Sequence, residues 1–260
     1  MIDAPFVLRS DAHGIVTLTL NRPQTRNALS RGMLSALSLE LQRLATDSSR
    51  VVILAGLGPA FCAGHDLKEI RAESFSRTYC EALFAECTEV VMGIVRLPKP
   101  VIAQVHGVAT AAGCQLVASC DLAIAADDAR FATPGVNIGL FCSTPMVALS
   151  RNVSRKAAMQ MLLTGDLIDA EAAIRMGLIN DAVPPHELAE RTQQLAAKIA
   201  AKSPMTLALG KEAFYRQIEL PLADAYAHTS QVMVTNLAKH DAQEGIGAFI
   251  EKRTPQWCGN

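Results

Sequence analysis

Apolar positions in the first twenty residues alternate with polar ones on either side of a turn containing Gly14, and two β runs joined in this way predict a hairpin across residues 7–20. The period then changes. Between residues 30 and 44, Met33, Leu34, Leu37, Leu41 and Leu44 fall on one helical face, with Ser30 placed to cap the helix. Short continuous apolar runs follow at residues 51–55, 101–105 and 122–125, each leading through a turn toward a helix or a further strand near Phe131. Such runs, alternating with helices, predict an α/β layout whose strands are covered on both faces. No sequence period indicates a solenoid.

From Pro185 onward the pattern is helical, with helices expected over 186–202, 204–217, 222–238 and 241–252 and with Pro204 and Pro221 near helix starts. Leu207, Leu209, Ala213, Phe214, Met233, Val234 and Leu237 offer more apolar surface than a thin appendage can hide. Burial against another subunit is therefore expected, and the chain divides on this reading into a core over 1–195 and a helical oligomerisation region over 196–260.

Composition narrows the function. Half of the 260 residues are hydrophobic, 19% are charged and the formal net charge is −1, so neither disorder nor a clustered basic surface for nucleic acid is expected. Asp3 and the charges that interrupt each apolar run argue against a signal peptide and a membrane span, and a cytoplasmic location follows as an expectation. Seven cysteines, an odd number without Cys-x-x-Cys spacing and mostly inside apolar segments, read as buried reduced thiols rather than disulfides or a zinc site. The six histidines are scattered, and no metal ligand is assigned.

Two turns of small residues carry the candidate chemistry. Phe61-Cys62-Ala63-Gly64-His65-Asp66 follows the first apolar run and Ala109-Thr110-Ala111-Ala112-Gly113-Cys114-Gln115 the second. A turn without bulk at a helix N-terminus leaves backbone N–H groups open to an oxygen that gains negative charge during reaction. Facing one point, the two would form an oxyanion hole; spacing alone fits a purely structural strand-to-helix turn equally well. Asp66 reads as the cap of a helix through Leu67-Lys68-Glu69-Ile70. His65 is either a group of the site or a solvated polar side chain. Gly-x-Ser-x-Gly, Walker, dinucleotide and His-Glu-x-x-His motifs are absent from the sequence.

Ala63-Gly64-His65-Asp66 and Ala111-Ala112-Gly113-Cys114-Gln115 resemble the two hallmark segments of the crotonase, or enoyl-CoA hydratase/isomerase, superfamily. The resemblance extends to Leu20-Asn21-Arg22-Pro23, Arg26-Asn27-Ala28-Leu29, Leu163-Thr164-Gly165-Asp166, Met176-Gly177-Leu178-Ile179 and residues 247–253. It implies a spiral of β-β-α repeats, assembly as a homotrimer or dimer of trimers through the C-terminal helices, and an acyl-CoA substrate. No permanently bound cofactor is implied, coenzyme A entering as part of the thioester.

By the same resemblance Ala63 and Ala112 would donate their N–H groups to the thioester carbonyl. Arg22, Arg26, Ala28, Gly64, Asp66 and Lys68 would surround the CoA moiety, and Phe249 and Lys252 would reach a neighbouring subunit's adenine and phosphate. The hydratases' two glutamates are replaced here by Gln115 and Gly135, and the stretches 115–121, 131–137 and 141–145 resemble the enoyl-CoA hydratase domain-containing protein 3 branch, which lacks those carboxylates. An amide has no basic site near neutrality and glycine has no side chain. Ser143 and Cys142 fall near where a dehalogenase of this fold keeps its nucleophile, without an evident basic partner in the sequence. Three readings stay open: an enzyme of thioester chemistry with hydration weak or lost, a decarboxylase, and a non-catalytic acyl-CoA binder.

Overall fold

The computed structural model describes residues 4–260. The chain opens with the expected hairpin: β1 (Val7–Ala12) pairs antiparallel with β2 (Ile15–Leu20). Its turn places His13 at φ 53° and Gly14 at φ 78°, the left-handed pair that matches the twist of a two-residue hairpin. β2 then runs parallel to β3 (Val51–Gly56), β3 to β4 (Val101–Val105), β4 to β6 (Leu122–Ala126) and β6 to β9 (Asp181–Val183), giving a six-stranded sheet. β5 (Val108–Thr110), β7 (Arg130–Ala132) and β8 (Ile168–Asp169) form a second, three-stranded sheet.

The apolar runs behave as expected of strands covered on both faces. Every residue of β3 except its terminal glycine is buried. On the helical side, α1 (Arg31–Thr46) buries Met33, Leu34, Leu37, Leu41 and Leu44, and the Ser30 hydroxyl accepts the Met33 N–H at 3.2 Å as its cap. After α2 (Leu67–Ala72), α1 packs against α3 (Arg77–Arg96), whose buried Leu83, Cys87, Val90 and Ile94 recur every three to four residues. The pattern of apolar positions described above does not single out α3. A helix α4 (Ala112–Ser119) rises from the second small-residue turn, and every residue in it is buried.

Three helices, α5 (Pro145–Asn152), α6 (Arg155–Thr164) and α7 (Ala170–Met176), cover the second sheet and α4. Four more occupy the expected C-terminal stretches: α8 (Leu188–Ala200), α9 (Pro204–Gln217), α10 (Leu222–Leu237) and α11 (His240–Glu251). Residue 195 falls inside α8, which packs along β3, β4 and β6 of the large sheet, whereas α9, α10 and α11 pack on one another. Phe214, Met233, Val234 and Leu237 are exposed on this last group, while Ala213 is buried.

α9 is fastened to the core by a buried polar cluster. The Lys211 ammonium donates to the Asp121 carboxylate at 2.7 Å and to the carbonyls of Ile94 and Lys99, both at 2.9 Å. The Tyr215 hydroxyl donates to the other Asp121 oxygen at 2.9 Å. With every charge paired, the cluster locates α9 without leaving an isolated ion in the interior.

Candidate active site

The first turn is built from a segment far upstream. Asn27, fully buried and at φ 53°, accepts the Arg22 N–H at 2.8 Å and directs its amide group at the carbonyls of Leu57 (2.9 Å), Ala60 (2.8 Å) and Phe61 (3.1 Å). This one side chain holds residues 22–27 against the loop that follows β3. Its role is not evident from the sequence, although an Asn among small and turn-forming residues is a signal for left-handed backbone. The register continues with Ala63 N–H donating to Arg26 O at 3.0 Å and Leu29 N–H to Gly64 O at 2.7 Å. The Gly64 N–H is directed at the Cys62 sulfur.

The second turn closes on the first. Cys62 bridges Ala109 in parallel, with Cys62 N–H to Val108 O at 3.2 Å and Thr110 N–H to Cys62 O at 3.0 Å. The Thr110 hydroxyl adds a bond to Ala63 O at 3.2 Å. The approach needs glycine: a Cβ on Gly113 would lie 2.1 Å from Cys62 O, a distance no side chain survives. A Cβ built on Gly64 would lie 3.4 Å from the Ala112 nitrogen, which shows how closely the two turns meet.

Ala111, the residue that opens α4, is held at φ 50° and ψ −120°, a conformation that ordinarily belongs to glycine, and its N–H is tied to Ala132 O at 2.9 Å. Ala112 then begins the helix, where N–H groups have no intrahelical acceptor. Among the described residues, neither the Ala112 nor the His65 amide donates to a protein acceptor. This corrects one expectation. The Ala63 amide is engaged by Arg26, so the free N–H of the first turn belongs to His65.

The side chains around this point are short of charge. His65 is largely buried, its Nδ1 lies 3.4 Å from Leu29 O, its ring meets the edge of Phe84 at 5.3 Å, and its Nε2 is buried without a protein partner. Burial holds its pKa below 6.5, so the neutral imidazole prevails near pH 7. Gln115 sits one turn into α4 with its Oε1 also buried and unpartnered. It borders a cavity of about 1210 Å³ between α3, α4, α5 and α9. No other residue of the two turns lines that cavity.

Gly135 lies in a short 3-10 turn, Pro134–Ile138, after β7. A Cβ there would stand 2.8 Å from Leu140 O and 2.9 Å from the Cys142 sulfur, which itself accepts the Gly135 N–H. The loop thus fills the place from which a carboxylate side chain would extend. Cys142 is buried and its thiol pKa is raised by that burial, which suppresses the thiolate a nucleophile requires. Ser143 is exposed, and its hydroxyl donates only to Phe141 O at 3.3 Å. Among the described residues no basic side chain hydrogen-bonds this hydroxyl, the contact that would activate a serine nucleophile.

Of the residues expected around CoA, Asp66 caps α2 by accepting the N–H groups of Lys68 (2.9 Å) and Glu69 (3.2 Å). Arg22 is already committed. Its guanidinium lies 3.7 Å from the Phe6 ring centroid and donates to the carbonyls of Ala4, Pro5 and Asn21, so it anchors the N-terminal segment. Arg26 and Lys68 are exposed near the first turn, and Ala28 is buried beside it. Phe249 and Lys252 stand apart on α11, Phe249 exposed and Lys252 at the helix end with φ 59°. The structure does not bring these two to the turns within a single chain.

The parallel β-structure and the two adjoining turns that it carries belong to a crotonase-type fold. The chain belongs to the enoyl-CoA hydratase/isomerase family, whose model matches residues 10–260. It is 50% identical over 254 residues to a Xenopus laevis protein named enoyl-CoA hydratase domain-containing protein 3, mitochondrial, covering 97% of this chain and 86% of that one. Among solved structures, an enoyl-CoA hydratase of Mycobacterium smegmatis superposes with a TM-score of 0.96 at 56% identity, covering 98% of this chain and 99% of that one. Human enoyl Coenzyme A hydratase domain-containing protein 3 superposes at 0.94 with 49% identity, covering 97% of this chain and 100% of its own. Family membership supports a lyase- or isomerase-type enzyme at the level of the family.

Proposed function

We propose that this protein binds an acyl-CoA thioester and polarises its carbonyl between the amides of His65 and Ala112, stabilising the enolate that forms when the α-carbon gains electron density. The observation that carries this reading is the pair of unengaged N–H groups on adjoining turns. Backbone donors of this kind need no reorganisation as charge develops, and loss of one costs about two to three orders of magnitude in rate.

Proton transfer is the weak half of the site. Gln115 can orient a water or a substrate group but cannot accept a proton, and the Cys142 loop closes off Gly135. Efficient hydration of an enoyl-CoA is therefore not the expected reaction. A decarboxylation fits the same site, because loss of CO₂ leaves the electron pair on the α-carbon and delivers the enolate directly to the two amides without a base.

The exposed apolar face of α9 and α10 fits assembly as a trimer or dimer of trimers, and in such an assembly Phe249 and Lys252 would serve a neighbour's CoA. No helix among the described residues is long and apolar enough to cross a membrane. A cytoplasmic location remains our reading for this chain, although the Xenopus relative carries "mitochondrial" in its name. The functional proposal is tested by screening purified protein against acyl-, enoyl- and malonyl-type CoA esters for both binding and product. Binding without turnover would reduce it to an acyl-CoA binder, and no binding at all would overturn it.

A further inference from the structure

The C-terminal tail brings Cys258 back onto the adjacent pair His240 and Asp241 at the start of α11. After α11 the chain turns back, and the Trp257 indole N–H donates to Ala201 O at 2.9 Å. Cys258 and Gly259 then donate their N–H groups to the Asp241 carboxylate at 2.8 Å and 3.1 Å, while Asp241 N–H donates to Asn260 O at 3.0 Å. The Ser203 hydroxyl adds a 2.6 Å bond to the same carboxylate, which is almost fully buried. Asp241 is thus oriented by several donors. The Cys258 sulfur comes to rest 3.1 Å from His240 Nδ1 and 3.3 Å from Asp241 Oδ1, with Asn260 Oδ1 at 2.7 Å.

We propose that Cys258, His240 and Asp241 form a binding site for a thiophilic divalent cation, with zinc as its expected occupant, that locks the tail onto the start of α11. The sulfur, imidazole and carboxylate donors all lie within 4.8 Å of one another. This mixed donor set suits a borderline-soft ion, and it differs from the all-oxygen sets preferred by calcium and magnesium. A zinc ion bound to sulfur at about 2.3 Å and to nitrogen at about 2.0 Å holds those two donors roughly 3.5 Å apart, so loading moves the Cys258 sulfur and the His240 nitrogen apart by a few tenths of an ångström from their 3.1 Å separation. His240 and Cys258 are exposed and free to make that adjustment. Asn260 Oδ1 or a water completes four-coordination.

The charges balance. On binding, the Cys258 thiol releases its proton to solvent and its sulfur bonds the metal; thiolate and carboxylate then neutralise the divalent ion, with His240 neutral. The hydrogen bonds to Asp241 play the part of the outer partners that orient metal-binding carboxylates.

The test uses the full chain, stripped with a chelator and titrated with cobalt(II) alone and with zinc(II) alone. The expected result is a sulfur-to-cobalt charge-transfer band that saturates at a single equivalent per chain, disappears in Cys258→Ser and requires at least tenfold more metal in His240→Ala. Zinc should displace cobalt and protect Cys258 from alkylation by iodoacetamide. No thiolate band, a band that survives Cys258→Ser, or alkylation of Cys258 unaffected by saturating zinc would overturn the proposal. Because the readouts are spectroscopic and chemical, they are independent of any thioester activity.

Discussion

The amide of Ala63 donates to the carbonyl of Arg26 at 3.0 Å, and this single bond moves the free donor of the first turn two residues along, to His65. Replacing individual amides by esters through α-hydroxy acid incorporation separates the two positions. An ester at residue 65 is expected to lower turnover of a processed thioester by about two to three orders of magnitude. An ester at residue 63 should lower stability by about 1 kcal/mol while leaving turnover largely intact. The reverse outcome would return the donor role to Ala63.

Gly135 and the Cys142 loop make a second prediction. Because a Cβ at residue 135 meets Leu140 O at 2.8 Å and the Cys142 sulfur at 2.9 Å, Gly135→Ala should destabilise the fold by about 1–3 kcal/mol in urea denaturation. Crotonyl-CoA hydration by the wild type should fall well below that of an ordinary hydratase. The Gln115→Glu, Gly135→Glu double variant should gain little, and adding Cys142→Gly should not rescue it, because the Leu140 carbonyl 2.8 Å from that Cβ is main chain. Wild-type hydration at an ordinary rate would show that another acid or base serves the site.

At Ala111 the backbone sits where glycine belongs, at φ 50° and ψ −120°. Ala111→Gly should relieve roughly 1–3 kcal/mol of strain against a loss of about 0.5–1 kcal/mol in chain entropy, so its melting temperature should be equal to or above that of the wild type. Ala111→Val should melt well below the wild type. A clear destabilisation by Ala111→Gly would mean that the methyl group, rather than the backbone shape, matters at that position.

His65 gives the stability curve a slope at mildly acidic pH. Burial lowers its folded-state pKa below 6.5, so across the interval between the folded and unfolded values the unfolded chain binds more protons than the folded one. Stability from this residue is therefore complete above about pH 6.5 and is lost as pH falls toward the folded pKa. His65→Gln should flatten that part of a urea-midpoint profile. An unchanged slope would assign it to other groups.

Much of this architecture is written locally. The caps at Ser30 and Asp66, the turn at Gly14 and the continuous apolar runs of β3 and β4 each depend on residues within a few positions, and the structure agrees with the sequence at all of them. The close meeting of the small-residue turns follows from their lack of bulk. What the sequence hides is long-range. The engagement of Ala63 by Arg26, the reach of Asn27 to the loop after β3 and the tail's return to His240 join segments whose distance in the chain leaves no periodic trace. The filling of the Gly135 site by Cys142 is hidden for another reason, since a loop's path is set by packing that no residue type announces.

The claim at the centre of this account is that two main-chain amides polarise a thioester carbonyl, and infrared difference spectroscopy of bound butyryl-CoA labelled with ¹³C at that carbonyl measures it directly. The stretch should move to lower wavenumber on binding, and an ester in place of the amide at residue 112 should reverse most of the shift while the ligand stays bound. A bound carbonyl with the stretch of free butyryl-CoA would contradict the assignment.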